Sequence, residues 1–254
     1  MSMLEMTAVV LAGVAAGAVN TIVGSGSLIT FPTLLAVGYS PLVANVSNTI
    51  GLVPGSLSGV VGYRREMVGQ RRRAVPLLVA AGLGGLTGGL LLLVLPAEAF
   101  TRIVPVLILV ACGLVIVQPR LSRWVAERRR EAGRDETHGG PVLALGVYLT
   151  GIYGGYFGAA QGVILIALLS ILIADDLQRL NGLKNALAMV INAIAAVLFI
   201  AVAPVAWLPA LLIAVGSTVG GQIGATVGRR LSPLILRAVI VVIGVAVALK
   251  LLIG

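Results

Sequence analysis

A polar stretch, NTIVGSGS at residues 20–27, interrupts a long uncharged segment of the chain. It places amide and hydroxyl side chains beside two glycines: Asn20, Thr21, Gly24, Ser25, Gly26 and Ser27. Amides and hydroxyls donate hydrogen bonds without carrying a charge, and glycine lets the backbone approach a ligand closely. A stretch of this kind is suited to binding a small molecule that accepts several hydrogen bonds.

Three further motifs carry similar chemistry: GGYFGAAQG at residues 154–162, SNTIG at 47–51 and LKNAL at 183–187. Together with the first stretch they give one candidate substrate-binding set: Asn20, Thr21, Gly24, Ser25, Gly26, Ser27, Asn48, Gly158, Gln161, Gly162, Lys184 and Asn185. The chain has one cysteine, Cys112, and one histidine, His138, so neither a catalytic set nor a metal site is predicted. We therefore expect no enzyme and no cofactor.

The composition indicates that these motifs lie in a membrane. Hydrophobic residues make up 59% of the chain, charged residues only 11%, and the mean hydropathy is +1.09. A soluble domain carries about 25% charged residues. Nearly uncharged runs of about 15 to 23 residues, close to the length that spans a bilayer, occur at 74–95, 103–117, 185–203, 205–227 and 234–253. The sequence therefore predicts an all-α polytopic membrane protein.

The net charge of +9 is concentrated in short segments between the apolar runs, chiefly 63–73, 118–138 and 229–237. Basic loops mark the cytoplasmic side and contact anionic lipids, which favours membrane lipids over nucleic acid as partners. If each polar-interrupted segment crossed the membrane once, residues 229–237 would face the side opposite to the other two. If each enters and returns as a hairpin with arms of about 15 residues, all three segments are cytoplasmic. The charge pattern favours the hairpins.

An internal repeat supports the same arrangement. GAVNTIVGSGS from Gly17 aligns with GIYGGYFGAAQG from Gly151, so that Gly24 matches Gly158, and Asn48 matches Asn185 farther on. We predict two inverted repeats, each a re-entrant or broken helical hairpin plus three transmembrane helices. The first repeat is residues 1–117, a charged cytoplasmic linker is 118–140, and the second repeat is 141–254. Inverted repeats with broken segments at matching positions are typical of secondary transporters.

The distribution of charge favours an anionic substrate. All nine acidic residues are predicted to lie in termini or loops, whereas cation carriers and proton relays usually place a carboxylate within a span. The candidate set instead offers neutral donors, half-helix ends with positive dipoles, and Lys184. Protons are a candidate coupling ion, although no relay residue can be named.

The residues also resemble a known family. The passage GAVNTIVGSGSLITFPTLLAVGYSPLVANVSNTIGLVPGSLSGVVGYRR, with GGYFGAAQG and LKNAL in the second half, is similar to the TauE/SafE sulfite exporter family over essentially the whole chain. The resemblance implies a bacterial inner-membrane protein that moves sulfite, thiosulfate or an organosulfonate. This sequence departs from the family pattern at residues 24–27, where it has Gly-Ser-Gly-Ser and many members have a run of glycines.

These observations predict a secondary transporter of a small sulfur-containing anion, working by alternating access with its site where the two glycine-rich turns meet. An anion channel and a non-transporting membrane scaffold are the alternatives left open.

Overall fold

The computed structural model describes residues 1–132, 140–226 and 233–253, and this part of the chain forms ten α-helices and no β-strand. The first five helices are α1 Met3–Ile22, α2 Ser27–Ala36, α3 Pro41–Gly62, α4 Arg71–Val94 and α5 Ala97–Ala132. The next five are α6 Gly140–Tyr156, α7 Gln161–Leu172, α8 Leu177–Val202, α9 Trp207–Thr226 and α10 Pro233–Ile253. The prediction of an all-α protein is confirmed.

Five described helices are long and apolar enough to cross a membrane: α1, α4, residues 97–120 of α5, α8 and α9. Their outward faces are oily, as α4 illustrates with Val75, Val79 and Leu83, each at least half exposed. The opposite face of α4 buries Gly84 and Gly88 against other helices. Large apolar side chains outside and small residues between helices are the pattern expected where lipid is the solvent.

The ten helices form two similar sets of five, each with a long, a short and three long helices in order. Each contact between the sets has a matching contact between the counterpart helices. Helix α1 packs on α9, and their counterparts α6 and α4 pack on each other. In the same way α3 packs on α9 and α8 on α4, whereas α3–α8 and α5–α10 pair counterparts directly. The inversion of the sets across the bilayer and the domain boundaries stay predictions, and residues 133–139 of the predicted linker lie outside the described residues.

Two helix crossings depend on glycine because backbones touch there. A Cβ atom on Gly17 of α1 would lie 2.2 Å from the carbonyl oxygen of Ser217 in α9. A Cβ atom on Gly88 of α4 would lie 2.0 Å from the carbonyl oxygen of Ile152 in α6. Since atoms cannot approach so closely, any larger residue would push these helices apart. The two crossings hold the first arm of each hairpin against the other half of the protein.

The hairpins are present, and their arms are unequal in length, whereas the sequence predicts one approximate length of about 15 residues for all of them. Helix α1 has 20 residues and α2 has 10, and the second pair, α6 and α7, has 17 and 12. The first arm is longer because Asn20 and Thr21 remain helical. The Thr21 hydroxyl donates to the carbonyl of Gly17 within α1, and partners in other helices bind the remaining polar groups of this last turn.

A polar cluster joins the two sets of helices at one end. Arg73, in the first turn of α4, forms an ion pair with Asp175 of the segment between α7 and α8. Arg179 of α8 also binds Asp175, at 3.0 Å. The buried Gln70 side chain donates to the carbonyl of Arg179 at 3.0 Å, and Arg179 donates to the carbonyl of Val68. Charged and neutral bonds therefore connect the α3–α4 segment to α8.

The environment of Asp175 makes this cluster sensitive to pH. Partial burial opposes ionisation, but hydrogen bonds from Arg73, the Asp176 amide and Arg179 outweigh it and hold the pKa of Asp175 below its usual range. Because folding lowers this pKa, the cluster stabilises the protein above the unfolded-state value of about 3.9. The contribution is lost as the pH falls through the folded-state value.

Replacing Asp175 with asparagine should therefore lower the free energy of unfolding by about 1–2 kcal/mol at neutral pH. The difference from the native chain should shrink as the solution is acidified toward the pKa of Asp175. Asp176→Asn is the matched control, because Asp176 caps α8 by accepting from the amides of Gln178 and Arg179, and asparagine caps equally well. Unfolding in detergent at neutral and acid pH measures both variants, and equal losses would contradict the role of the ion pairs.

Candidate functional site

Both hairpin turns are built around a glycine in the left-handed conformation. Gly24 follows α1 with φ of +88°, and Gly158 follows α6 with φ of +76°. The amide of each bonds to the carbonyl five residues earlier, Val19 or Tyr153, at 3.0 and 3.1 Å. This is a helix ending that favours glycine, because a Cβ atom disfavours positive φ. The alignment of Gly24 with Gly158 thus corresponds to the same local geometry in both halves.

The two turns are in direct backbone contact. The amide of Gly162, at the start of α7, donates to the carbonyl oxygen of Gly24 at 3.1 Å. A Cβ atom on Gly24 would lie 2.4 Å from the Cα of Gly162, and one on Gly162 would lie 2.5 Å from the Cα of Gly24. The structure therefore brings the two predicted motifs together. In this arrangement the Gly162 amide is bound to the other turn and is not free for a ligand.

Lys184 crosses from the second half to the end of α1. Its side chain is fully buried, and Nζ donates to the carbonyl oxygens of Thr21 at 3.0 Å and Asn20 at 3.3 Å. Asn185 Nδ2 also donates to the Thr21 carbonyl, at 3.3 Å. A cation at the C-terminal end of a helix is stabilised by the helix dipole. No carboxylate pairs with Lys184 among the described residues.

The other predicted residues of the first half hold α1, α2 and α3 together. Asn20 Nδ2 donates to the hydroxyl of Ser56 at 3.3 Å, and the buried Asn48 accepts a hydrogen bond from the Thr30 hydroxyl. Gly26 packs on α1, where a Cβ atom would lie 2.3 Å from the Ala16 carbonyl oxygen. Ser27 is half-buried at the first position of α2. These contacts place Asn48 beside the first turn.

Two buried polar atoms in the turns have no hydrogen-bond partner in the described part of the chain: the Ser25 hydroxyl oxygen and Gln161 Oε1. Gln161 Nε2 donates to Asn192 Oδ1 of α8 at 2.9 Å, which fixes the amide against that helix. Buried polar groups are bonded in most native structures, and an unpaired one costs about 1–3 kcal/mol. Each turn therefore retains unused hydrogen-bonding capacity for water or a ligand.

Aromatic residues support the second turn. The Phe157 ring meets Phe31 of α2 edge to face at 5.4 Å and Phe100 of α5 at 6.1 Å. The Tyr153 hydroxyl donates to the Ala159 carbonyl oxygen at 2.5 Å. These contacts fix the position of the turn relative to the first half.

Asn45, Thr30, Ser56 and Asn192 also belong to this region and were missed from the sequence. Asn45 Nδ2 donates to the Tyr156 carbonyl oxygen at the end of α6, at 3.0 Å. A signal did exist, since Asn45 lies one helical turn before Asn48, and Asn192 lies two turns after Asn185. Residues so spaced share one face of a helix, and that face meets the turns.

Comparisons with known proteins agree with a transport function. The family model described as Sulfite exporter TauE/SafE matches residues 9–251. The probable membrane transporter protein YfcA of Escherichia coli K12 is 26% identical over 93% of this chain and 86% of its own length. The probable membrane transporter protein ORF9 of a Sinorhizobium species is 25% identical over 93% and 88%, and a probable membrane transporter protein of Haemophilus influenzae is 24% identical over 94% and 91%. No solved structure matches this chain.

The contribution of the contact between the turns to stability can be tested at two glycines, both of which have a left-handed backbone conformation. Gly38 has φ of +100° and nothing within 4 Å of the position that a Cβ atom would take, whereas Gly24 faces Gly162. Gly38→Ala should cost only the backbone strain, about 1–2 kcal/mol, and retain function. Gly24→Ala should cost about 3 kcal/mol or more, because the added Cβ atom also meets the Gly162 backbone. Unfolding measurements compare the two variants, and equal losses would show that the contact is unimportant.

Proposed function

We propose that this chain, which belongs to the TauE/SafE sulfite exporter family, is a secondary transporter that carries a small sulfur-containing anion by alternating access. Family membership and the similar proteins make it a membrane transporter. The anion and the cycle are our proposal, with sulfite, thiosulfate and organosulfonates as the candidate substrates.

The observation that carries the proposal is the meeting of two polar turns from the two halves. Gly24 and Gly162 touch, and Lys184 is buried at the first turn. The Ser25 hydroxyl and Gln161 Oε1 beside them have no hydrogen-bond partner within the part of the chain that the structure describes. An oxyanion that leaves water needs several donors and a positive potential. Hydroxyls, amides and one ammonium group can supply both if the turns separate to admit it.

The charges around the turns support an anion rather than a cation. The helices α1, α2, α3, α6, α7 and α8 contain a single acidic residue, Glu5, in the first turn of α1. Its carboxylate accepts from the amide of Ser2 at the start of that helix. A cation carrier would be expected to place a carboxylate near its site. Lys184 instead gives the region a positive charge.

Alternating access would require the two halves to move relative to each other. Each contact between the halves has a matching contact between the counterpart helices. Breaking one set of contacts could open one side of the site, and breaking the matching set could open the other side. In this mechanism the Gly24–Gly162 contact is a closed arrangement, and breaking one backbone hydrogen bond is a small cost compared with repacking side chains. Membrane lipids surround the protein, and protons are the candidate coupling ion.

Lys184→Met tests the site because methionine preserves much of the stem and removes the charge. We expect anion-dependent thermal stabilisation to disappear and sulfite uptake into proteoliposomes to fall at least about tenfold, which corresponds to about 1.4 kcal/mol. Lys250→Met is the control, because Lys250 is exposed near the end of α10. Unchanged uptake by Lys184→Met would show that the site is elsewhere.

The native protein distinguishes a carrier from the other classes in the same vesicles. A carrier should saturate and show counterflow of labelled anion driven by unlabelled anion, whereas a channel should not show counterflow. A scaffold should show no flux. Movement of cations without movement of sulfite, thiosulfate or sulfonates would refute the proposal.

The proposed inner-membrane topology, with basic segments 63–73, 118–138 and 229–237 in the cytoplasm, predicts a labelling pattern. Ser40 and Asp176 are both exposed and lie after the α1–α2 and α6–α7 hairpins. A cysteine at Ser40 should react with an impermeant reagent added to intact cells lacking an outer membrane, and one at Asp176 should react only after lysis. The native Cys112 is buried and serves as the unreactive background. Labelling of both positions from one side would contradict the hairpin topology.

A further inference from the structure

The side-chain amide of Asn45 has an unpaired oxygen, and its hydrogen-bond partner shows which of the two amide atoms is the oxygen. Its Nδ2 donates to the Tyr156 carbonyl oxygen at 3.0 Å, and a carbonyl oxygen can only accept. The atom left over is therefore Oδ1, which is buried and has no partner among residues 1–132, 140–226 and 233–253. A buried acceptor of this kind requires a donor from a water molecule or a ligand.

Gln161 presents a second unpaired acceptor close to the same end of α6. Its Oε1 lies above Gly154, where an added Cβ atom would be only 1.9 Å away, and it too lacks a partner within the described residues. The Ser25 hydroxyl of the other turn, which can donate as well as accept, also has no partner among the residues that the structure describes. The region thus combines neutral donors with two carbonyl oxygens that need a donor.

The balance of charge limits the charge of the ligand. Lys184 is the buried cation at the turns, whereas Arg179 on the same helix is bound to Asp175. Glu5 lies at the far end of α1, and Tyr153 and Tyr156 are the titratable side chains of α6 nearest the second turn. In its protonated form, Lys184 compensates one negative charge. A second negative charge would remain uncompensated in a medium of low dielectric constant.

We propose that the species carried is a monoanion that brings its own hydrogen-bond donor, namely hydrogensulfite rather than the sulfite dianion. This inference rests on the proposed function and deepens it. The O–H group of hydrogensulfite can donate to Asn45 Oδ1 or Gln161 Oε1, and its remaining oxygens can accept from hydroxyl and ammonium groups. The dianion offers acceptors alone, which would face those carbonyl oxygens unfavourably. The proton travels on the substrate, so no relay side chain is required.

Charge stoichiometry tests this directly in proteoliposomes of the native protein. With equal pH on both sides and a tenfold sulfite gradient, a potassium–valinomycin clamp sets the membrane potential at which net flux vanishes. Transport of hydrogensulfite should give about 59 mV, and transport of the dianion about 30 mV. An internal pH indicator should report proton movement with sulfite. A value near 30 mV, or flux that does not depend on potential, would overturn the inference.

Competition between two monoanions separates a proton carried on the substrate from one carried by the protein. Hydroxymethanesulfonate has an O–H donor, and methanesulfonate has none. We expect the first to compete with sulfite about tenfold better, because it pairs a buried acceptor. Asn45→Leu should reduce this preference, because it removes the acceptor. Thr49→Val is the control and should retain the preference. Thr49 is buried one turn away, and its hydroxyl bonds only to the Asn45 carbonyl in the described residues. Equal competition in the native protein would also refute the inference.

The outcomes distinguish the two levels of the proposal. Absence of any sulfur-anion flux from active reconstituted protein would remove the proposed function together with this inference. Saturable flux carrying two charges per sulfite would leave the transporter in place and exclude hydrogensulfite as its substrate. If Asn45→Leu fails to fold, the charge measurement and the competition between the two monoanions, both made on the native chain, together still decide the question.

Discussion

The backbone contact between Gly24 and Gly162 constrains the rest of the molecule. Two chain reversals can meet through their main chains only if side chains are absent at both positions and if the helices that lead to them approach closely. The glycine crossings of α1 with α9 and of α4 with α6 provide that approach. Non-helical backbone within a membrane must also have its polar groups satisfied by protein. Lys184 and Asn45 meet this requirement from opposite halves by binding the last carbonyls of α1 and α6.

Lys184 connects the stability of the turn with its electrostatic character. Its ammonium group is buried without a carboxylate partner among the described residues, and two carbonyl oxygens at a helix C-terminus compensate its charge only partly. A formal countercharge would satisfy the ammonium fully but would also cancel the positive potential. Carbonyl dipoles hold the group in place and leave that potential available. This combination is what the proposed binding of an anion at the turns would require.

The sequence predicts the parts of this arrangement that have local causes. Glycines after apolar helical segments indicate the two turns, because positive φ is a property of the single residue. The hydrogen bonds between the two halves are harder to predict, because they join residues far apart in the chain. Asn45 binds a residue 111 positions away, and the Gly162 amide donates to the opposite turn. The unequal arms have the same origin. The polar side chains of Asn20 and Thr21 predict an interruption of the helix, but contacts from α3 and α8 keep both residues helical.

The matching contacts between the halves use different kinds of bond at the two ends of the protein. At one end, Arg73, Asp175 and Arg179 join α4 to α8 through ion pairs. At the corresponding place on the other pair of helices, the amide of Ala206 before α9 donates to the hydroxyl of Ser47 in α3, a neutral bond of 2.9 Å. Ion pairs weaken with added salt and with protonation of the carboxylate, whereas the neutral bond responds to neither. Two halves of similar shape therefore have ends that respond differently to salt and to pH. In the proposed alternating-access cycle, opening at one end would break ion pairs and opening at the other would break a neutral hydrogen bond.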